Sequence, residues 1–249
     1  MDVVYEKKYH QLEENNWWFV GRRHIVYKLF QACRLSKDKV ILEIGCSGGP
    51  LLKQLREEGY TNVYGIDISA TAIGLAKMRG IHNVEVMDGT EPNFPPNSFD
   101  LIIASDVLEH IEDSEKALKN WISLLKPGGL IMLFVPAFSS LWSEHDVVNH
   151  HFRRYTEKQL IAEVQQAGFS IKRSSYWNSF LFLPTYIVRK LQRMITIQIN
   201  KTKKEGQLLE LPAIFNKLLI NLLKLENNFL MRFKSVAGVS VFVIAEKKI

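Results

Sequence analysis

The chain has 249 residues, of which 47% are hydrophobic and 23% are charged, and its formal net charge at pH 7 is +6. This length suits one α/β domain with added elements, and the composition excludes a disordered or collagen-like chain. Two cysteines, Cys33 and Cys46, provide no disulfide framework, and no window reads as a signal peptide or a membrane-spanning helix, so a cytoplasmic protein is expected.

The positive charge is concentrated in one segment. Residues 172–235 hold twelve Lys and Arg against three Glu, a net charge of +9, so the rest of the chain is acidic. This distribution predicts a local basic surface and argues against a nucleic-acid partner, for which the sequence also shows no recognition module.

The predicted elements begin with an amphipathic helical segment at residues 1–36. Short apolar runs then alternate with helical stretches, which predicts a mostly parallel sheet with helices on both faces. The strand candidates are residues 40–44, 63–68, 84–87, 101–105 and 130–135. The helices between them are predicted at residues 51–58, 70–79 and 114–124.

The second half of the chain contains two longer segments between predicted elements. Residues 137–156 show no clear periodicity and read as a functional loop, because loops of this length in compact domains often are. A helix at residues 157–167 and a strand at 169–176 follow. Residues 177–237 then form a helical insertion with a polar joint at 201–206, before a final strand at 239–245.

Glycines and acidic residues stand at the ends of the predicted strands. The first strand ends at Glu43, and a glycine-rich turn follows it in the segment KVILEIGCSGGP. Asp67, Asp88 and Asp106 end the next three strands. Ligands of open α/β sheets bind beyond the carboxyl ends of the strands, so these residues predict one shared binding site.

Together these motifs resemble the class I S-adenosylmethionine-dependent methyltransferases. The matching segments are EIGCSGG (43–49), YGIDIS (64–69), VMDGT (86–90), FDLIIASDVLEHIED (99–113) and LKPGGLIMLFVP (125–136). The VLEH segment is similar to that of quinone-biosynthetic O-methyltransferases. One position departs from the common pattern, since Ser47 stands where glycine is usual.

The resemblance implies a doubly wound, Rossmann-like, seven-stranded sheet that is mostly parallel and has an antiparallel last strand. Residues 1–36 would form an N-terminal helical cap and residues 37–249 the methyltransferase domain, which includes the helical insertion.

The resemblance also implies S-adenosylmethionine as cofactor and S-adenosylhomocysteine as product. Asp67 would accept hydrogen bonds from the ribose hydroxyls, and Asp88 one from the adenine amino group. A dinucleotide cofactor is the rival, but its G-x-G-x-x-G fingerprint is missing. The predicted cofactor-binding residues are Glu43, Gly45, Cys46, Ser47, Gly49, Asp67, Ile68, Met87, Asp88, Gly89, Ser105 and Arg22.

For the chemistry, His110 is the predicted general base, with Asp106 beside it, because an imidazole titrates near neutral pH. No metal is expected, because the spacing of the His and acidic residues matches no known tight site. The predicted acceptor contacts are Trp18, His145, His151, Arg154 and Tyr155. For each candidate a purely structural role, in packing or capping, stays open.

These features predict methyl transfer to a small molecule, at oxygen, on an acceptor with an apolar part. The alternatives are N-methylation of a peptide or amine metabolite, or a cofactor-binding partner subunit without catalysis. The basic insertion could cap the sheet, form a homodimer interface or contact an anionic membrane at its surface.

Overall fold

A computed structural model describes residues 9–199 and 211–248. The predictions for residues 1–8 and for the joint at 201–206 lie outside the described residues. The described helices are α1 Trp17–Ala32, α2 Pro50–Glu57, α3 Ala70–Met78, α4 Ser114–Leu124, α5 Glu144–Val148, α6 Glu157–Gln166, α7 Phe182–Ile199 and α8 Ala213–Leu230. The strands are β1 Ile41–Ile44, β2 Val63–Asp67, β3 Val84–Val86, β4 Phe99–Ser105, β5 Leu125–Pro136, β6 Phe169–Trp177 and β7 Ser240–Lys247.

All seven strands form one sheet in the order β3-β2-β1-β4-β5-β7-β6. The pairs among β1 to β5 are parallel, whereas β7 pairs antiparallel with both β5 and β6. The predicted doubly wound, mostly parallel sheet with an antiparallel last strand is therefore confirmed.

Alternating residues of the strands pack on opposite faces of the sheet, as the two-residue period of a strand requires. Leu42 of β1 belongs to the core on one face, which is covered by α4 and α6. Ile41 belongs to the core on the other face, where α1, α2 and α3 pack. Leu223 and Leu230 bring α8 of the insertion onto this second face, against α1.

The start of β5 differs from the prediction. The strand begins at Leu125, directly after α4, rather than at residue 130. Leu125 pairs with Phe99, and the pairing then skips to Leu130 with Leu101. Gly128 adopts a φ of 74° in the skipped stretch, a conformation that glycine reaches without strain. The Pro-Gly-Gly sequence thus forms a bulge within the strand rather than the turn before it.

The segment at residues 137–156 contains more structure than its sequence predicts. Helix α5 lies within it and begins with a capping box formed by Ser143 and Asp146. A single 3-10 turn, Ser139–Leu141, precedes it. This compact segment packs beside the carboxyl ends of the strands, where the predicted site residues also lie. In the part of the chain that the structure describes, no helix has the length and apolar character needed to cross a membrane.

Candidate active site

A cavity of about 1120 Å³ opens at the carboxyl ends of β1, β2 and β4. It collects nearly all the residues that the sequence predicts for the site. The predicted residues on its wall are Glu43, Gly45, Cys46, Ser47, Asp67, Ile68, Met87, Asp88, Gly89, Ser105, Asp106, His110, Arg22, Trp18, His145, His151 and Arg154.

Two predicted residues lie off the cavity wall. Gly49 is the N-cap of α2 with a φ of 74°, so it ends the glycine-rich turn and starts the helix. Tyr155 is buried in the core on the α4 and α6 face. Its backbone N–H donates to Pro136 and its carbonyl accepts from Phe138. The position of Tyr155 therefore supports a packing role rather than the predicted acceptor contact.

The turn after β1 is held in a tight, unusual conformation. Ser47 adopts a φ of 50°, in the left-handed region that favours glycine, which explains why glycine is common here in the resembling family. Its backbone N–H donates to Asp67 at 2.9 Å. At Gly45 a Cβ would lie 2.4 Å from the Val107 side chain, so the backbone is as close to its neighbour as glycine allows.

Glu43 places a carboxyl group in the cavity with one oxygen, Oε2, that has no hydrogen-bond partner among the described residues. Burial raises the pKa of Glu43 well above its ordinary value, and the nearby Asp67 and Glu13 carboxylates raise it further. A buried acidic group of this kind is stabilised by a cationic ligand, because the ligand supplies the missing partner and favours the ionised form.

Asp67 ends β2 as predicted, Asp88 lies two residues after the end of β3, and both carboxylates already accept hydrogen bonds from backbone groups. Asp67 accepts from Ser47 N and from Ser69 N, each at 2.9 Å. Asp88 accepts from Thr90 N at 2.7 Å. Each carboxylate oxygen has a second lone pair, so both groups could also accept from ligand hydroxyl or amino groups. Ile68 is 76% exposed on the cavity wall, where an aromatic ring could cover it.

Sequence reasoning missed an N-terminal contact to the glycine-rich turn. Glu13 is buried, lines the cavity and accepts from Ser47 Oγ at 2.7 Å. It also forms an ion pair with Arg79, whose guanidinium donates in turn to Gly48 O at 2.9 Å. No sequence signal identifies this contact, because Glu13 lies in a polar stretch 34 residues before Ser47.

Arg22 crosses the cavity wall from α1 and is fully buried in aromatic surroundings. Its Nη2 donates to Asp106 at 3.1 Å and to Ser240 at 2.7 Å. Its guanidinium lies 4.3 Å from the Trp177 ring centre and 5.4 Å from that of Trp18. Two of its nitrogens, Nε and Nη1, have no partner among the described residues, so an anionic group in the cavity could be bound here.

A buried charged network anchors the segment that follows β5. Arg154 binds Asp146 in a two-point ion pair, with Nε at 2.7 Å and Nη2 at 3.1 Å, and donates to Ala137 O through Nη1. Asp146 also accepts from His151 Nδ1 at 2.9 Å. Burial alone would raise the pKa of Asp146, but His151 and Arg154 hold it well below its usual range. An ionised carboxylate can only accept hydrogen bonds, so His151 carries a proton on Nδ1, and its Nε2 points away from Asp146.

His110 stands next to His151, with ring centres 4.5 Å apart. Burial and the neighbouring His151 lower the pKa of His110 to about 4. The imidazole is therefore neutral at physiological pH and can accept a proton, although the lowered pKa makes it a weaker base than an ordinary histidine.

Three ligand atoms converge at the same place. The side chains of Glu109, His110 and His151 offer atoms that all lie within 4.8 Å of one another. Glu109 is buried, and its Oε2 has no partner in the described part of the chain. A divalent cation could be held by such a set, whereas the sequence predicts no metal; metal analysis of the purified protein distinguishes the two.

The insertion supplies an apolar wall that sequence reasoning did not assign to individual residues. Helix α7 and the residues around it contribute Leu181, Pro184 and Val188 to the cavity. Leu211 and Leu219 reach it from the α8 side. The cavity therefore joins a carboxylate-rich rim at the strand ends to an apolar wall made by these residues of the insertion, which also contributes Thr185, Arg189 and Gln192 to the lining.

Comparisons with known proteins agree with this geometry. A family model described as a methyltransferase domain matches residues 19–173. Phosphoethanolamine N-methyltransferase 1 of Arabidopsis thaliana is 33% identical over 104 residues, which are 40% of this chain and 21% of that protein. The ubiquinone biosynthesis O-methyltransferase of Coxiella burnetii is 28% identical over 153 residues, 56% of this chain and 60% of the relative.

Among solved structures, phosphoethanolamine N-methyltransferase 2 of Haemonchus contortus, in complex with phosphomonomethylethanolamine and S-adenosylhomocysteine, has the same fold. Its TM-score is 0.63 at 21% identity, with 98% of this chain and 57% of that chain covered. The chain thus spans only part of the length of the relatives it matches.

Proposed function

Because the chain belongs to the methyltransferase domain family, we propose that it methylates an oxygen atom of a small acceptor that has an apolar part. The methyl donor is S-adenosylmethionine. The related proteins include both O- and N-methyltransferases. The choice of oxygen as the methylated atom therefore has to be supported by the site itself.

The residues at the strand ends fit this donor. The buried Glu43 carboxyl with its unpartnered oxygen suits the ammonium group of the methionine part. Asp67 suits a pair of ribose hydroxyls, and the exposed Ile68 offers an apolar face to the adenine ring. When bound, S-adenosylmethionine supplies a methyl group on a positively charged sulfur, which a nucleophile displaces in line.

The observation that carries the acceptor class is the apolar wall opposite the rim. Val188 and Leu219 come from the two insertion helices and line the same cavity as His110. A wall of this kind favours an acceptor with an apolar part, because burying apolar surface contributes about 25 cal/mol per Å².

His110 is the group that would take the acceptor proton. Its pKa of about 4 keeps the imidazole neutral, and its ring centre lies 4.5 Å from that of His151, whose Nδ1 is bound to Asp146. A hydroxyl must lose a proton as it is methylated, and a neutral imidazole on the wall is a group that can take this proton. An amine acceptor bound as the ammonium ion also needs this base, so the product has to be identified directly.

The test offers S-adenosylmethionine with a labelled methyl group together with a phenol that carries an alkyl chain, the same phenol without the chain, and phosphoethanolamine. We expect O-methylation of the alkylated phenol, with the highest kcat/KM of the three, and mass spectrometry locates the methyl group. Methylation of phosphoethanolamine nitrogen alone contradicts the proposal, and so does tight binding of S-adenosylmethionine without transfer to any of the three.

A matched pair of variants locates the acceptor. Val188→Ser removes an apolar side chain from the cavity wall and should raise the KM of the alkylated phenol about tenfold, with unchanged affinity for S-adenosylmethionine. Leu183→Ser changes the same helix at a position off the cavity wall and should leave KM unchanged. Equal KM values for both variants contradict the assignment of the wall.

A further inference from the structure

The outer face of α7 is apolar, although it is exposed. Leu183, Ile187 and Leu191 follow one another at four-residue spacing and therefore form one stripe along the helix. They are 62%, 48% and 52% exposed. Surface helices normally turn charged and polar residues outward, so this face is built for a partner that is itself apolar.

Helix α8 has apolar side chains on its outer face as well. Its inner face packs on α1, where Asn227 donates to Gly21 O at 3.0 Å and Leu223 is fully buried. The outer face carries Ile214, Leu218, Leu225 and Phe229, which are all exposed. The two stripes of α7 and α8 together account for much of the exposed apolar surface in the described part of the chain.

The exposed charged residues described on the two helices are lysines. Lys190 on α7 and Lys217 and Lys224 on α8 are exposed. The single carboxylate on the two helices, Glu226, is turned inward, where it accepts from Ser179 N and Phe180 N. An exposed apolar face edged by lysines, with no exposed carboxylate on either helix, matches the interface of a bilayer that contains anionic lipid.

A second copy of the chain fits this surface less well. In a symmetric dimer each patch meets the same patch of its partner, so the lysines of one copy would approach those of the other. Like charges that face each other in an interface oppose association, whereas anionic lipid headgroups attract each of these lysines.

The stripes on α7 and α8 also border the cavity. Val188 is 51% exposed and at the same time lines the cavity, between the stripe residues Ile187 and Leu191 in sequence. Leu219 lines the cavity from α8, one residue after the stripe residue Leu218. The two stripes therefore adjoin the cavity, whose lining from α7 also includes Thr185, Arg189 and Gln192.

From these observations we propose that the α7 and α8 stripes dock on an anionic membrane and that the acceptor is an amphiphile taken from that membrane. The second half of this proposal rests on the proposed function and names its substrate class; the docking itself does not depend on catalysis. The helices lie at the interface, with their apolar side chains at the boundary between headgroups and acyl chains and their lysines at the phosphates.

Vesicle flotation tests the docking with the full chain. Vesicles of phosphatidylcholine alone are compared with vesicles of phosphatidylcholine mixed with phosphatidylglycerol, at low and high salt. We expect binding that requires the anionic lipid and weakens with salt. Ile187→Glu should reduce binding at least tenfold, whereas Met78→Glu, at an 80% exposed methionine on α3, should bind like the wild type.

Lysine variants test the charge separately from the apolar contact. Lys190→Glu and Lys217→Glu should each weaken binding about fivefold or more, the factor that corresponds to about 1 kcal/mol for one basic residue at a membrane surface. Lys119→Glu on α4, also exposed, serves as the control. Equal binding to neutral and anionic vesicles overturns the proposal, as does a wild-type dimer that Ile187→Glu dissociates without any vesicle binding.

The docking and the proposed function fail in different ways. Ile187→Glu should keep its affinity for S-adenosylmethionine and its turnover of a water-soluble phenol, and should lose only turnover of an acceptor presented in anionic vesicles. Vesicle binding without methyl transfer overturns the proposed function alone. Methyl transfer from S-adenosylmethionine to both acceptors in the Ile187→Glu variant at wild-type rates overturns the membrane route alone.

Discussion

The two sides of the cavity differ in the segments of chain that build them. The rim with Glu43, Asp67 and Asp88 comes from consecutive strand ends, so the order of the sheet alone brings these side chains together. The opposite side is assembled from α1, the segment after β5 and the two insertion helices. The first side is set by a regular architecture, whereas the second depends on individual long-range contacts, and substitutions should therefore affect the two sides differently.

The largest effect on stability is expected at the Arg154–Asp146 ion pair, which anchors the segment after β5. Asp146→Ala leaves the buried guanidinium of Arg154 without its counter-charge and should lower the free energy of unfolding by about 3–5 kcal/mol. Urea unfolding followed by circular dichroism measures the change. Asp113→Ala, which removes only the N-cap of α4, is the control and should cost about 1 kcal/mol. A loss for Asp146→Ala no greater than that of the control would show that the network does not anchor the segment.

The second prediction separates chemistry from cofactor binding. His110→Ala should lower kcat about 100-fold or more, because the acceptor proton loses its base, while affinity for S-adenosylmethionine stays near that of the wild type. Initial rates at saturating acceptor measure kcat, and calorimetry measures the affinity for S-adenosylmethionine. His82→Ala, at an exposed histidine off the cavity wall, is the control. Near-normal turnover would leave His110 with a structural role only.

The third prediction addresses the rim. Asp67→Ala removes an acceptor of two backbone hydrogen bonds and the predicted partner of the ribose hydroxyls, so affinity for S-adenosylmethionine should fall by about 1.5–3 kcal/mol. Calorimetry on the folded variant measures this loss. Asp38→Ala, at an exposed residue before β1 and off the cavity wall, should bind normally. Unchanged affinity in Asp67→Ala refutes the assignment.

The smallest effect is the dependence of the free energy of unfolding on pH, which has opposite signs for Glu43 on the rim and Asp146 on the opposite side of the cavity. The pKa of Glu43 is raised, so the folded state favours its protonated form, and the cost of ionising it grows as the pH rises above the ordinary value of about 4.3. The pKa of Asp146 is lowered, so its contribution is present at neutral pH and is lost as the pH falls below the ordinary value of about 3.9.

Glu43→Gln should therefore raise the free energy of unfolding without cofactor, and by more at about pH 8 than at about pH 4. The same variant should bind S-adenosylmethionine more weakly, because the amide cannot offset an ammonium charge. Unfolding curves at the two pH values and calorimetry check both statements. A variant that is less stable than the wild type at about pH 8 would mean that Glu43 is ionised and paired in the folded protein.

The same contrast explains what the sequence could predict. Helix α4 has the predicted bounds, and the strands agree within one or two residues except at the start of β5. These elements follow from local periodicity and caps, such as Asp113, whose carboxylate accepts from Lys116 N. The strand-end residues follow from the same regularity, since parallel strands end at one edge.

The contacts that escaped prediction join residues far apart in the chain. Glu13 meets Ser47 and Arg79, and Arg22 meets Ser240 across 218 positions. Arg154 was predicted to contact the acceptor, and it lines the cavity, but its binding to Asp146 depends on helix α5, which has no periodic signal. Such pairings depend on tertiary packing, which a pattern of residue types along the chain does not record.

The place of β7 in the sheet has a consequence for how the protein is made. This strand lies between β5 and β6 and pairs with both, yet the ribosome makes it after all the other strands. Until β7 emerges, β5 has one open edge and β6 has no partner strand, so both expose backbone N–H and C=O groups at which chains aggregate. A nascent chain that stops before Ser240 therefore has a sheet that ends at β5 and a separate β6, and β6 can join the sheet only after β7 has been made.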